Sequence, residues 1–168
     1  LGFALTDEQQ GAKLKSILPV GVFCCATAAH LGFRNRSIEV WAGGLPEGVI
    51  YNTHNKSIKK IHSQHLPLGI LSPAQFKYQP AYFEMDNDDV IYLWSDGIIE
   101  TLNEQQEMFG FERLLDVFTQ TTNTNMVFDE ILQHVEQFAV QGSEQADDHT
   151  LIAVKMQDAP SLALEQAL

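Results

Sequence analysis

The sequence predicts an α+β domain, an antiparallel sheet system with helices packed on its outer faces. Three observations predict it. Strand-like runs fill the middle of the chain, helical periodicity clusters toward its two ends, and short hairpin joins outnumber the long crossovers that parallel strands require. At 168 residues and 45% hydrophobic, the chain is one ordinary domain, large enough to bury a core without staples.

Taken in order, residues 1–5 read as a short buried strand that ends at Thr6-Asp7-Glu8. From Gly11 a helical pattern places Leu14, Ile17 and Leu18 on one face. Pro19 kinks it, and the almost wholly apolar residues 20–30 continue it as a central buried helix. Within that segment, Cys24 and Cys25 are neighbours that cannot staple the fold; they read as small buried hydrophobes of a reducing, cytoplasmic compartment. Residues 37–42 alternate in the period of a strand with one buried face, and Gly43-Gly44-Leu45-Pro46 breaks it. Residues 48–53 and 57–61 form a hairpin around His54-Asn55-Lys56, and Leu66-Pro67-Leu68-Gly69 is an ordered loop crossing back to the sheet.

A further strand over residues 81–85 leads into the turn-forming Asp86-Asn87-Asp88-Asp89. Val90-Ile91-Tyr92-Leu93-Trp94 follows, long enough for a buried strand and too short for a helix, and it stops at Ser95-Asp96-Gly97. After a polar loop, a helix over about residues 110–119 carries the stripe Phe111, Leu114, Leu115 and Phe118, which reads as core. A second helix, about 126–140, carries Val127, Ile131, Val135 and Phe138, with Gly142 as its cap. An acidic loop to Asp148 enters the last strand, 150–156, and the tail 157–168 has no strong pattern. Trp41 and Trp94 read as packing residues.

Ten Lys+Arg against 22 Asp+Glu give a net charge of −12, so the field around the chain repels anions. Binding to nucleic acid or to an anionic membrane surface, which needs cationic patches, is disfavoured. No apolar run reaches the ~18 residues of a membrane span, and no signal peptide opens the chain. It begins on Leu1 and reads as a piece cut from something longer.

Carboxylates recur where strands end: Asp7 after the first strand, Asp96 after residues 90–94, and Asp147-Asp148 before residues 151–154. A single Asp at a strand end is ordinarily a turn residue whose side chain caps nearby amides. Several brought together repel one another unless a cation lies between them, and hard cations such as Mg²⁺ and Mn²⁺ favour such oxygens. Two ions about 4 Å apart can activate a water and stabilise in-line attack on a phosphoryl group. His62 and His65 are spaced as a ligand pair, but without a Cys or His cluster nearby they read as loop histidines. His149, beside Asp147, either touches the carboxylate site or faces solvent.

The order of these motifs resembles the bacterial SpoIIE-type branch of the metal-dependent Ser/Thr protein phosphatases. Trp41-Ala42-Gly43-Gly44-Leu45-Pro46 is similar to its Ala-Gly-rich turn, and Leu66-Pro67-Leu68-Gly69-Ile70 to its Pro-Leu-Gly loop. Ser95-Asp96-Gly97-Ile98-Ile99-Glu100 resembles its Thr/Ser-Asp-Gly-x-x-Glu motif, Phe109-Gly110 its Phe-Gly before a helix, and Asp147-Asp148-His149-Thr150 its closing Asp-Asp-x-Thr. The resemblance covers residues 1–156 as one phosphatase-like domain, with 157–168 as tail.

That resemblance implies an antiparallel β-sandwich flanked by α-helices, the αββα phosphatase fold. It implies a two-metal Mn²⁺ or Mg²⁺ site held by Asp7, the Glu8 carbonyl, Asp96 and Asp147, supported by Gly97 and Asp148, with no catalytic side chain beyond the metal-bound water. Thr6-Asp7-Glu8-Gln9-Gln10-Gly11 stands where the family carries an Asp followed by Gly-His-Gly, and the His-Gly is missing. The family's N-terminal Gly-Asp hairpin is expected upstream of Leu1. The implied substrate is a phosphorylated regulatory protein of the anti-sigma-factor antagonist type, and the implied neighbour an upstream receiver or sensor domain in a two-component signalling protein. Two alternatives stand beside the enzyme: a degenerate pseudophosphatase that binds its partner without turnover, and an interaction module whose open sheet edge pairs as a homodimer.

Overall fold

The computed structural model describes residues 21–72, 74–139 and 148–156. Seven strands and three helices lie in them, in the order β1 (Ala26–Gly32), β2 (Ser37–Gly43), β3 (Gly48–Asn52), β4 (Ile58–Ile61), β5 (Ala81–Glu84), β6 (Asp89–Trp94), α1 (Asp96–Glu100), α2 (Gly110–Gln120), α3 (Val127–Phe138) and β7 (Leu151–Lys155). The strands make two sheets, β1-β2-β5 and β4-β3-β6-β7, and every pairing is antiparallel. The α+β architecture is thus an antiparallel sandwich with helices on an outer face.

Strand periodicity sorts the side chains into layers. Ile50 and Ile91 point between the sheets, where they pack with Ile38, Val40, Ile61, Met85 and Met156. Their neighbours Val49, Tyr51, Val90, Tyr92 and Trp94 point the opposite way, onto Ile98 of α1, Leu114 and Phe118 of α2, and Ile131 and Val135 of α3. β6 is therefore buried on both faces, which is why its sequence is a continuous apolar run rather than an alternation. Phe118 sits at the middle of the helix-side layer, its ring 5.2 Å from Tyr51 and 5.0 Å from Tyr92. The helical stripes of α2 and α3 are core, as their spacing predicts.

The outer face of the three-stranded sheet carries Trp41, which is fully buried beneath the loop that contains Leu68, Phe76 and Tyr78. The loop is pinned by paired backbone bonds between Cys24 and Leu68 and stacks His65 on Trp41 at 5.2 Å. Gly44, just after β2, donates its N–H to the His65 carbonyl of that loop at 3.1 Å and holds φ +75°, a conformation that side chains resist.

Two expectations are corrected. Residues 26–32 form β1, not the continuation of a central helix over 20–30: seven consecutive residues pair with β2. The alanines favour helix in isolation, and an apolar run of this kind has no period that separates helix from strand, so tertiary pairing decides. Nor are the cysteines both buried: Cys24 is half-buried and Cys25 exposed. The strand expected over 1–5, the helix from Gly11 and the tail 157–168 lie outside the described residues.

Candidate functional site

The site is built at one end of the four-stranded sheet, where β6 runs out and β7 begins. The two strands pair antiparallel with Trp94 opposite Leu151. The residues that follow Trp94 must therefore meet those that precede Leu151. Ser95 makes the junction. Its N–H donates to the Thr150 carbonyl at 3.0 Å, its hydroxyl donates to the Asp148 carbonyl at 2.9 Å, and its hydroxyl oxygen accepts from the Thr150 N–H at 3.0 Å. A Ser before a helix commonly caps that helix. Here its side chain makes no cap and reaches across to the other segment instead.

Asp96 is the first residue of α1, so the Ser95-Asp96-Gly97 stretch is a direct strand-to-helix junction rather than an open turn. Its side chain is exposed, and one oxygen accepts the Gly97 N–H at 3.2 Å. Gly97 is buried against the opposite segment, where a Cβ would stand 2.7 Å from the Asp148 carbonyl oxygen. The close approach expected of this glycine is thus made to protein backbone. Helix α1 ends at Thr101, whose hydroxyl donates to the Gly97 carbonyl at 2.8 Å and lies 3.0 Å from the His149 Nε2. His149 accordingly touches the site rather than only facing solvent.

Of the sequence-predicted ligands, the structure describes Asp96 and the supporting Gly97 and Asp148, and it brings all three together. Asp7, Glu8 and Asp147 lie outside the described residues. Among the described residues, no three of His, Cys, Asp and Glu gather as a cation cage. The exposed carboxylate of Asp96 is the kind of oxygen donor that a hard divalent cation prefers. His62 and His65 do not form a ligand pair: His62 bonds the Glu47 carboxylate and His65 the Gln79 carbonyl.

Asp89, part of the acidic turn before β6, is a different kind of carboxylate. It is 2% exposed, accepts from Asn52 Nδ2 at 2.8 Å and from the Asp86 N–H at 3.0 Å, and pairs with Lys59 at 3.4 Å. With its oxygens engaged inside the fold, it is structural. Thr101 belongs to none of the sequence motifs; the signal for it in the sequence is its place directly after Glu100 of the Ser-Asp-Gly-x-x-Glu stretch.

No helix among the described residues is long and apolar enough to cross a membrane. No protein among the curated ones matches the chain. Solved structures do. The SiaA-PP2C domain of Pseudomonas aeruginosa is 15% identical with a TM-score of 0.68, over 89% of this chain and 58% of that one. The PP2C phosphatase domain with a fragment of the regulatory domain of SpoIIE from Bacillus subtilis is 17% identical with a TM-score of 0.69, over 89% and 44%. RsbX in complex with magnesium is 12% identical with a TM-score of 0.57, over 87% and 60%. The chain thus spans 44–60% of the length of these three structures, and at these identities the likeness establishes the shared fold. The sequence model of Stage II sporulation protein E (SpoIIE) matches residues 8–157, and with its motifs in that order on this sandwich the chain belongs to the SpoIIE family, in the SpoIIE-type branch of the metal-dependent protein phosphatases.

Proposed function

We propose that the chain is a metal-dependent protein serine/threonine phosphatase domain that hydrolyses phosphoserine or phosphothreonine on a small regulatory protein of the anti-sigma-factor antagonist type. What supports this is the junction of Ser95–Gly97 with Asp148–Thr150, the stretch that follows Asp147 in the sequence. Asp96 and Asp147, with Asp7 and the Glu8 carbonyl, would hold Mn²⁺ or Mg²⁺; RsbX, which shares the fold, was solved with magnesium. With such ions bound, the site would have a water whose lowered pKa makes it a nucleophile at neutral pH, and positive charge to offset that of the phosphoryl oxygens.

The chain's own residues set the geometry. Asp96 offers its carboxylate from the start of a helix tied down at both ends, and Gly97 lets the two acid-bearing segments touch. A net charge of −12 repels a phosphorylated substrate, so cation loading is also what makes phosphate binding favourable. An upstream receiver or sensor domain would regulate the site, in a cytoplasmic signalling protein. One observation favours a second reading as a pseudophosphatase that binds its partner without turnover: the stretch with Gln9-Gln10 lacks the family's His-Gly.

The test is hydrolysis of p-nitrophenyl phosphate and of a phosphoserine peptide with Mn²⁺, the chain beside its Asp96→Asn variant. Turnover that needs both Mn²⁺ and Asp96 supports the enzyme. Activity no greater than that of the variant overturns it in favour of the partner-binding reading.

A further inference from the structure

The loop laid over the outer face of the three-stranded sheet does not fill the space beneath it. A partly open cavity of about 140 Å³ remains, with Trp41, His65, Leu68, Leu71, Phe76 and Lys77 in its lining. It shares no residue with the Asp96 junction. Backbone bonds fix its walls: Leu68 exchanges bonds with Cys24 at 2.8 and 2.9 Å, and the His65 N–H donates to the Ala42 carbonyl at 3.1 Å. The Phe76 N–H donates to the Ser72 carbonyl at 3.0 Å, and the His65 ring is held by its Nε2–H, which donates to the Gln79 carbonyl at 2.9 Å. The cavity is therefore preformed.

Its chemistry is narrow. Three of the lining rings belong together: His65 stacks on Trp41 with centroids 5.2 Å and planes 11° apart, and Phe76 leans on the same indole at 5.9 Å. The volume suits one six-membered ring, since an apolar cavity of about 150 Å³ takes up benzene. Two polar features indicate what that ring carries. Lys77 is exposed and makes no ion pair among the described residues, although acids outnumber bases 22 to 10 in the chain. The Trp41 Nε1–H is buried without a hydrogen-bond partner, a donor of a kind that folded proteins seldom leave unmatched. A cation and an unmatched donor beside one aromatic cavity both call for an anionic oxygen.

We propose that this cavity is a binding site for a small aromatic carboxylate, with its ring against Trp41, His65 and Phe76 and its charge met by Lys77. The volume limits the ligand to a single ring. Lys77 is decisive because the field of the whole chain, at −12, repels anions, and only a local cation reverses that. Neither the cavity nor its ligand depends on the metal site.

The test is a titration of the ¹⁵N-labelled chain with benzoate, followed by NMR at the indole N–H signals of its two tryptophans. The Trp41 signal is expected to shift saturably, while that of Trp94, packed on the helix side of the other sheet, stays. Acetate has the charge without the ring, and 2-naphthoate has one ring too many; each should bind more weakly than benzoate, on the order of 10-fold. Lys77→Gln changes an exposed side chain, so it should melt with the parent and yet weaken benzoate on the order of 10-fold. That difference should shrink as salt is added. No saturable shift at Trp41, acetate or 2-naphthoate binding as tightly as benzoate, or parent-like benzoate affinity in Lys77→Gln each overturns the site.

Discussion

Gly97 and Asp148 stand 51 positions apart in the chain and so close in space that a single added carbon on Gly97 would lie 2.7 Å from the Asp148 carbonyl oxygen. The obstacle is backbone and cannot rotate away. Gly97→Ala should therefore push the Asp148 segment off α1, at about 1–3 kcal/mol of stability. Mn²⁺-dependent turnover should fall further than the stability loss accounts for, because the displaced segment carries Asp147. Urea unfolding and phosphatase kinetics on the same protein check both, and an alanine variant with parent-like turnover would show that the close contact is only packing.

Asp96 is exposed, and among the described residues its carboxylate accepts only from the amide next to it. Surface changes of this kind alter stability by about 0.5 kcal/mol or less. Asp96→Asn is expected to melt with the parent and yet lose on the order of 100-fold or more of Mn²⁺-dependent turnover. Chelation with EDTA should abolish parent turnover, and added Mn²⁺ should restore it. Turnover that survives EDTA would sink the metal site.

Burial, and secondarily the neighbouring Tyr51, pushes the Tyr92 hydroxyl from 10.0 up to about 12. The neutral phenol is the form the fold favours. Its contribution is complete below pH 10 and disappears as pH rises from there toward 12, where the unfolded chain ionises first. The loss amounts to roughly 2–3 kcal/mol at the alkaline end. Tyr51 shifts in the same direction, by burial and by Glu130, and adds to the slope. Denaturant unfolding from pH 8 to 11.5 should show stability falling above pH 10, less steeply in Tyr92→Phe. An unchanged slope in that variant would place the alkaline transition elsewhere.

Phe118 is fully buried and packs on Tyr51, Tyr92 and Trp94. Phe118→Ala should cost about 3–5 kcal/mol. Mn²⁺ affinity measured well below the melting transition should change little, because the cavity lies on the helix side of the sheet. A large affinity loss without unfolding would mean that the α2 packing and the site are coupled.

Asn52 binds the buried Asp89 carboxylate at 2.8 Å and accepts from the amides of His54 and Asn55 at 3.1 and 3.0 Å. Asn52→Ala strips a buried charge of a partner and the hairpin turn of its acceptor. A destabilisation of about 2–4 kcal/mol is expected by thermal or denaturant unfolding. A neutral outcome would mean that Lys59 and the Asp86 amide suffice to hold Asp89.

How far the chain is legible from its letters follows from the range over which each feature is encoded. The run Val90–Trp94, the hairpin around His54-Asn55-Lys56 and the stripes of α2 and α3 are local patterns of period 2 or 3.6, and they fold as written. The acids at the strand ends are equally local, and Asp96 and Asp148 read from the letters alone as acids flanking β6 and β7. Residues 26–32 could not be assigned this way, because an Ala-rich apolar run carries no period and only its partner β2 makes it a strand. Asp89 looks like any turn acid until the fold surrounds it with Asn52 and Lys59. The meeting of Ser95–Gly97 with Asp148–Thr150, and the Thr101–His149 contact beside it, belong to neither segment alone. They follow from the register that sets Trp94 opposite Leu151, a pairing between distant residues held by backbone bonds and shared core contacts that no local stretch encodes.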